Sequence, residues 1–423
     1  MMPLRYLVTL IDGGGNVPPE LGAVRRLVER GHDVTVLAED SVAPEACATG
    51  ASVRPWTRAP NRASRRPEDD PCRDWECTYP WQLVDRLCRT LMIGPAERYA
   101  QDVAETLPDV RPALIISSMF CVGGMVAAER AGIPFTVLFP NIYPLPAPGL
   151  PPFGIGLRPA RGVMGRLRDR TLNGMTERLW DAKGLELLNA LRRGLGLEPL
   201  AHVFDQVRRA RRQLVLTSPD FDFPATLSDT VRYVGPVLDD PPWADAAPWT
   251  PPAGMGPLVL VAMSTTFQDQ IECLQRVIDA LGRLPVRAVV TTGPAIDPAA
   301  LRAPANVTIV ASAPHRRVMR EAALVVTHAG HGTVMKALAA GVPMVMMPHG
   351  RDQADTAIRV TERGAGITLG RTAHAEAIAG AIKIVLEQPS YRAAARRLGE
   401  IVRRDESGTT LILELETLAG GHP

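Results

Sequence analysis

The sequence predicts an α/β protein built from two parallel-sheet domains in tandem, and three observations carry that prediction. Its 423 residues exceed the size at which one core stops growing, so two cores of about 200 residues each are expected. Short apolar runs alternate with amphipathic helical stretches through both halves, the rhythm of strand, helix and parallel strand. Between the halves, residues 239–256 crowd Pro, Ala, Asp and Trp without periodicity and read as a linker.

In chain order, 6–11 reads as a buried strand and 13–19 as a turn. The helix over 20–30 puts Leu21, Val24, Leu27 and Val28 on one face and stops at Gly31. A strand follows at 34–37. The alternation returns with a strand at 114–117, a helix at 122–130 and a strand at 135–138. Residues 54–80 and 140–159, rich in Pro with Arg and Asp or Gly, are expected to be long functional loops or lids. Strands at 214–217 and 231–237 close the first half. After the linker the rhythm restarts with strands at 258–263, 286–291, 307–310, 324–327 and 344–347 and a helix reaching Leu281. Residues 391–418 are helical in character and are expected to pack back on the first domain. The expected units are 1–238, a second Rossmann-like domain at 257–390, and a helix and tail at 391–423.

Composition narrows the partners. Apolar residues at 46%, charged residues at 22% and a net charge of +2 suit a globular protein with no field for gathering nucleic acid. Lys183, Lys336 and Lys383 are the only lysines, a bias we read as that of a GC-rich genome. The cysteines form no C-x-x-C pair and no zinc spacing. The run at 6–11 is too short for a signal peptide, and no apolar stretch approaches about 18 residues. A cytoplasmic monomer or homodimer without stable membrane insertion is the expectation.

The chemistry concentrates in the second half. A strand at 324–327 runs into His328-Ala329-Gly330-His331-Gly332-Thr333 and then into a helix. Free N–H groups and the helix dipole favour an anion at such a start, and glycines let the backbone approach phosphate oxygens. His328 and Thr333 add side-chain donors, and His328 also a possible charge. The following strand ends in Pro348-His349-Gly350-Arg351-Asp352-Gln353, at the same carboxyl edge of a parallel sheet. There Asp352 and Gln353 suit sugar hydroxyls. Ser264-Thr265-Thr266, Thr292-Gly293 and Ala313-Pro314-His315 follow three further strands and ring that edge.

On these residues the chain resembles the family 1 glycosyltransferases, the UGT-like superfamily of GT-B fold, and among them bacterial natural-product members. The match covers 258–369; its most specific part joins 327–333, Gly341-Val342-Pro343 and 350–353. The resemblance implies two Rossmann-like domains facing across a cleft and an inverting transfer that needs no metal and no bound cofactor. The donor would be a TDP- or UDP-sugar, and the acceptor an apolar secondary metabolite held by the first domain. It also implies roles: His328 at the nucleotide-proximal phosphate, and Gly330, His331, Gly332 and Thr333 at the distal one. Ser264 and Thr266 would lie near the diphosphate, with Thr292 and Gly293 on the same rim. Ala313 to His315 would meet the base through its backbone, and Asp352 and Gln353 would hold the sugar.

The first half departs from that family. Its members end the first strand in a Gly-His-x-x-Pro segment whose histidine deprotonates the acceptor, oriented by an aspartate after a later strand. Here Asn16 fills the histidine position and Ile116-Ser117-Ser118 offers no carboxylate. An amide accepts no proton at neutral pH, so Asn16 is expected to position the acceptor or phosphate. Asp12 is the first candidate base, with a turn or capping carboxylate as its other reading, and Asp74 and Glu76 come next. A phenolic acceptor would need less help.

Other readings stay open at this point. Gly13-Gly14-Gly15 with Glu39 suggests dinucleotide binding by an oxidoreductase, but Pro18 stands near the third glycine of that fingerprint. Asp220-Phe221-Asp222 resembles a metal-binding Asp-x-Asp, although the flanking Pro219 and Pro224 favour a solvated turn. A sugar-nucleotide epimerase, or a non-catalytic sugar-nucleotide-binding partner, would keep the phosphate motif without a base. The basic stretch 161–170, interleaved with Val163, Met164 and Leu167 and followed by Leu172, fits a helix over the acceptor cleft or a lipid surface.

Overall fold

In the computed structural model, which describes residues 2–247, 249–263, 265–406 and 409–420, two wholly parallel sheets are built one after the other. The first has the order β3-β2-β1-β4-β5-β6-β7. Its strands are β1 (Arg5–Thr9), β2 (Asp33–Ala38), β3 (Ser52–Pro55), β4 (Leu114–Ser118), β5 (Phe135–Phe139), β6 (Arg212–Val215) and β7 (Val231–Tyr233). The second has the order β10-β9-β8-β11-β12-β13. Its strands are β8 (Leu258–Ala262), β9 (Arg287–Thr291), β10 (Val307–Val310), β11 (Leu324–Thr327), β12 (Met344–Met346) and β13 (Gly366–Thr368).

Helices cover the first sheet: α1 (Val17–Glu29), α2 (Ala43–Cys47), α3 (Pro80–Arg86), α4 (Ala96–Val110), α5 (Val122–Ala131), α6 (Gly162–Trp180), α7 (Glu186–Gly194) and α8 (Asp205–Arg208). A short α9 (Pro242–Asp245) lies within the linker. The second sheet carries α10 (Ile271–Leu281), α11 (His315–Glu321), α12 (His331–Ala339), α13 (Gln353–Glu362), α14 (Ala375–Glu387) and α15 (Pro389–Asp405), and α16 (Thr409–Gly420) ends the chain's helices.

Strand side chains alternate between two cores, which is why the central strands read as continuous apolar runs. Leu7, Ile115 and Val137 enter one core of the first sheet, while Tyr6, Val8, Leu114, Ile116 and Leu138 enter the other. In the second sheet Leu258, Leu260 and Val325 oppose Val259, Val261, Leu324 and Val326 in the same way. Two strands escape a periodicity reading. β3 is a four-residue edge strand whose burial does not alternate, and its last two residues fall inside what reads as a loop. β13 has three residues and opens on Gly366.

The C-terminal helices divide between the two cores. Ala394, Ala395, Leu398 and Val402 of α15 join the second, while Leu411, Ile412 and Leu415 of α16 lie in the first with Tyr6, Leu21 and Leu27. Glu416 fastens α16 by accepting from Arg30 Nε at 2.9 Å and Nη2 at 2.8 Å, with His32 Nε2 also at 2.9 Å. The hydrogen bond from Arg30 is the largest influence holding this carboxyl below its ordinary range. Leu415→Ala leaves a void in a fully buried position. It should cost about 2–5 kcal/mol, measured as a lowered urea midpoint of the first domain's unfolding.

Candidate active site

The carboxyl edges of the two sheets meet. Arg351, between β12 and α13, reaches across with Nη1 donating to Gly13 O at 3.0 Å and Nε and Nη2 to Asp74 at 2.5 and 3.1 Å. The same Nη1 donates to Thr266 Oγ1, on the second domain's own edge, at 3.1 Å. Beside this crossing the Trp75 and Phe267 rings meet edge-on at 5.1 Å. Arg351 adopts φ +57°, uncommon for a residue with a side chain, so local backbone energy is spent on aiming it.

On the second domain, β11 delivers His328 and α12 starts at His331 after Gly330 at the cap, leaving its first N–H groups directed at the edge. A Cβ on Gly330 would stand 2.5 Å from His328 Nε2, so a side chain there would displace the ring. His328 is buried, and burial first, then His349 and Arg351, push its imidazole down to about 3. The unliganded protein therefore holds a neutral ring, which corrects the expectation of a charge from His328.

Two side chains of the motif turn elsewhere. His331 points into the first domain, where Nε2 lies 2.8 Å from Thr217 Oγ1 and the ring meets Phe221 edge-on, so only its backbone N–H serves the edge. Gln353 accepts from His349 N at 2.7 Å and Gly350 N at 3.2 Å and donates to Gln268 Oε1 at 2.8 Å. Its amide braces the loop instead of being free for a sugar. Asp352, half-buried at the α13 cap, makes no capping bond; burial raises its carboxyl, and Asn141 from the first domain lowers it.

Around the remaining rim, Thr266 and Thr292 are buried and Gly293, at φ +68°, turns the chain after β9. His315 Nε2 lies 3.0 Å from Thr291 Oγ1 at the start of α11, and Ala313 is buried just before it. Gly332 and Thr333 are half-buried in the first turn of α12. Ser264 lies outside the described residues.

The first domain's edge is dominated by ion pairs. Asp12 accepts from Arg65 Nε at 2.7 Å and from Gly14 N at 2.8 Å, and Arg62 stands 3.6 Å away. Burial alone would raise its carboxyl, but the two guanidiniums outweigh this and hold it below the usual range. Asp12 is thus a structural anchor and a poor proton acceptor. Glu39 accepts from Asp12 N at 2.5 Å and from Arg62 Nε at 3.0 Å, so the carboxylate an oxidoreductase would turn to a ribose is already bound. Asp74 is paired with Arg351, and the exposed Glu76 lies 2.9 Å from Arg86. Asn16 ties its own loop, accepting from Gly13 N at 2.8 Å and donating to Ile11 O at 2.9 Å.

The Asp220 and Asp222 pair is divided. Asp220 is paired at the surface with Arg404. Asp222, expected in a solvated turn, is buried and accepts from Arg359 Nε and Nη2 at 2.9 and 2.7 Å. Neither carboxylate is left for a metal. Two residues at these edges went unread in the sequence. Arg351 sat inside the motif but its partner is 277 residues away. Glu20 looked like an ordinary acidic residue of a helix's first turn, yet it is 1% exposed.

The comparisons fit this geometry. Residues 275–418 match the model of the erythromycin biosynthesis protein CIII-like C-terminal domain. The chain is 29% identical over 415 residues to 4'-demethylrebeccamycin synthase of Lentzea aerocolonigenes, spanning 96% of this chain and 97% of that one. It is 27% identical over 418 residues to the oleandomycin glycosyltransferase of Streptomyces antibioticus, spanning 98% and 90%. The chain is a glycosyltransferase of GT-B fold, similar to enzymes of natural-product biosynthesis. Its fold is shared with the solved glycosyltransferase of kitacinnamycin at TM-score 0.76 and 21% identity, covering 99% and 100%. It is shared also with the spinosyn rhamnosyltransferase SpnG complexed with thymidine diphosphate, at TM-score 0.64 and 20% identity over 98% and 100%.

For this glycosyltransferase, Asp12→Ala should behave as the loss of an anchor. Removing one partner of a buried pair costs about 3–5 kcal/mol, to be read by chemical denaturation. Sugar transfer per folded molecule should stay near the wild-type rate.

Proposed function

We propose that the enzyme moves a sugar from a TDP- or UDP-sugar to an apolar small-molecule acceptor with inversion, in the cytoplasm, using neither a metal nor a bound cofactor. The observation that carries the reading is the start of α12, where glycine-bounded N–H groups, the buried His328 and the Arg351 guanidinium share one sheet edge. As the acceptor heteroatom attacks the anomeric carbon, the bond to the diphosphate breaks and charge builds on the departing oxygens. Oriented N–H dipoles and a fixed guanidinium in a buried site stabilise that charge without reorganising, the role a divalent cation fills elsewhere.

A diphosphate arriving beside His328 also opposes the burial that keeps the ring neutral, so the donor itself favours protonation there. The complex of SpnG with thymidine diphosphate supports a thymidine donor by similarity of fold. The six unpaired cysteines suit a reducing compartment.

For the acceptor, the support is a flank of exposed apolar side chains on α3 and α6 near the cleft. Tyr79 and Trp81 stack at 4.5 Å, and Val163, Met164 and Leu167 stand 55–77% exposed. Among the described residues no helix is long and apolar enough to cross a membrane.

Assay with a panel of TDP- and UDP-sugars, read by mass spectrometry with and without a chelator, tests the reading. Retained configuration or abolition by the chelator would refute it. His328→Ala should lower kcat about a hundredfold or more while circular dichroism stays unchanged. Turnover at the wild-type rate would remove His328 from the site.

A further inference from the structure

We propose that Glu20 is the general base of the transfer, taking the acceptor's proton as the glycosidic bond forms. The inference rests on the nucleotide-sugar reading above and supplies what the sequence lacks. The two positions where related enzymes keep their histidine and aspartate, Asn16 and Ser118, both adjoin this carboxyl. α1 sets Glu20 one turn beyond Asn16 on the same face, and Ser118 Oγ, at the end of β4, donates to its Oε1 at 3.0 Å. The other oxygen, Oε2, is buried with no hydrogen-bond partner among the described residues. A buried polar atom left empty in a native structure requires a reason, and an incoming N–H or O–H is one.

The other acids of this edge are engaged. Asp12, Glu39 and Asp74 each face a guanidinium, whereas among the described residues no arginine or lysine is paired with Glu20. The titratable groups facing it are Asp12 and the Cys121 thiol, itself pushed up to about 12 by burial and hence neutral. Burial raises the Glu20 carboxyl to about 8, with Ser118 and Asn16 pulling it down and Asp12 pushing it up. A base is most effective when its proton affinity lies near the working pH.

Gly13 and the half-exposed Phe120 ring pack so closely that a Cβ on Gly13 would stand 2.8 Å from the ring. Because Glu20 is 1% exposed, the side chains that cover it must move aside for the acceptor. In the step itself the acceptor's lone pair forms the bond to the anomeric carbon and the carbon–oxygen bond to the diphosphate breaks, its electron pair leaving with the nucleotide. The acceptor's proton moves to Glu20 Oε2.

Glu20→Gln keeps the shape of the protonated acid, so the fold should survive. Because the folded carboxyl is raised, wild type loses stability as pH rises from the ordinary 4.5 through about 8. The variant does not, and above that range it should melt at or above wild type. TDP-glucose and UDP-glucose serve as donors, with water, 4-methylumbelliferone and benzyl alcohol as acceptors, and kcat/KM is followed against pH.

Wild type should show a rising limb on benzyl alcohol that Glu20→Gln lacks, with a rate about a hundredfold lower and a smaller loss on the phenol. Calorimetric affinity for TDP or UDP should be unchanged. Ser118→Ala, which removes a hydrogen bond that favours the carboxylate, should move the limb to higher pH, a shift that a purely structural Glu20 would not produce. Glu20→Gln at the wild-type rate on benzyl alcohol overturns the proposal alone. A wild-type chain that binds neither TDP nor UDP overturns the nucleotide-sugar reading and the proposal with it.

Discussion

The arrangement of this site depends on a buried ion pair. Arg359 of α13 is fixed on Asp222 of the first domain, with the Phe223 ring 4.1 Å beneath its guanidinium and Tyr233 donating to the same carboxylate at 2.9 Å. Desolvating both charges is offset by further hydrogen bonds, Arg359 Nη1 to Asp355 O and the backbone N–H of Tyr143 to Asp222, and removing one partner would strand the other. Through this seam α13 is seated on the first domain, and Asp355 one turn earlier accepts from the backbone of Gly154 and Gly156. The N-terminal end of α13, with Asp352 and the loop before it, is then presented to the cleft at a set distance. His331 on Thr217 repeats the arrangement for α12. The donor edge is rigid because its helices are docked from behind.

How much of this was legible in the sequence follows from where each residue finds its partner. The two parallel sheets were readable because buried strands write continuous apolar runs, and the helix start at 328–333 because strand, short turn and helix follow one another within a few residues. The partners of Asp222, Gln353 and His331 were illegible for the opposite reason. By type these three residues fit a turn, a sugar contact and a phosphate contact, but Arg359, Gln268 and Thr217 lie 137, 85 and 114 residues away. Asp12 shows the same blindness in its electrostatics. Nothing in the segment following β1 discloses that Arg62 and Arg65 return from a long loop to neutralise it. Glu20 was hidden by position, since an acid in a first helical turn is ordinarily solvated, and only the packing of α1 on β4 reverses that.

The loop over 54–80 gains a clearer role from the same partners. It supplies Arg62 and Arg65 to the first-domain cluster and Asp74 to Arg351 of the second. One irregular segment therefore connects the charge state of the acceptor edge to the position of the donor edge. Part of its Arg and Asp content, which reads as featureless polarity, is a set of cross-links to partners outside the segment.

The path of the chain after α15 has a mechanical meaning. The polypeptide passes between the domains twice, once through the linker and once on the way to α16, and these passages touch. A Cβ on Gly235 would overlap Asp405 O, and Ser218 Oγ donates to the Asp405 carboxylate. Two crossings set side by side act as the paired knuckles of a door hinge. Two strands of chain in contact restrict the relative rotation of the domains more than a single linker would.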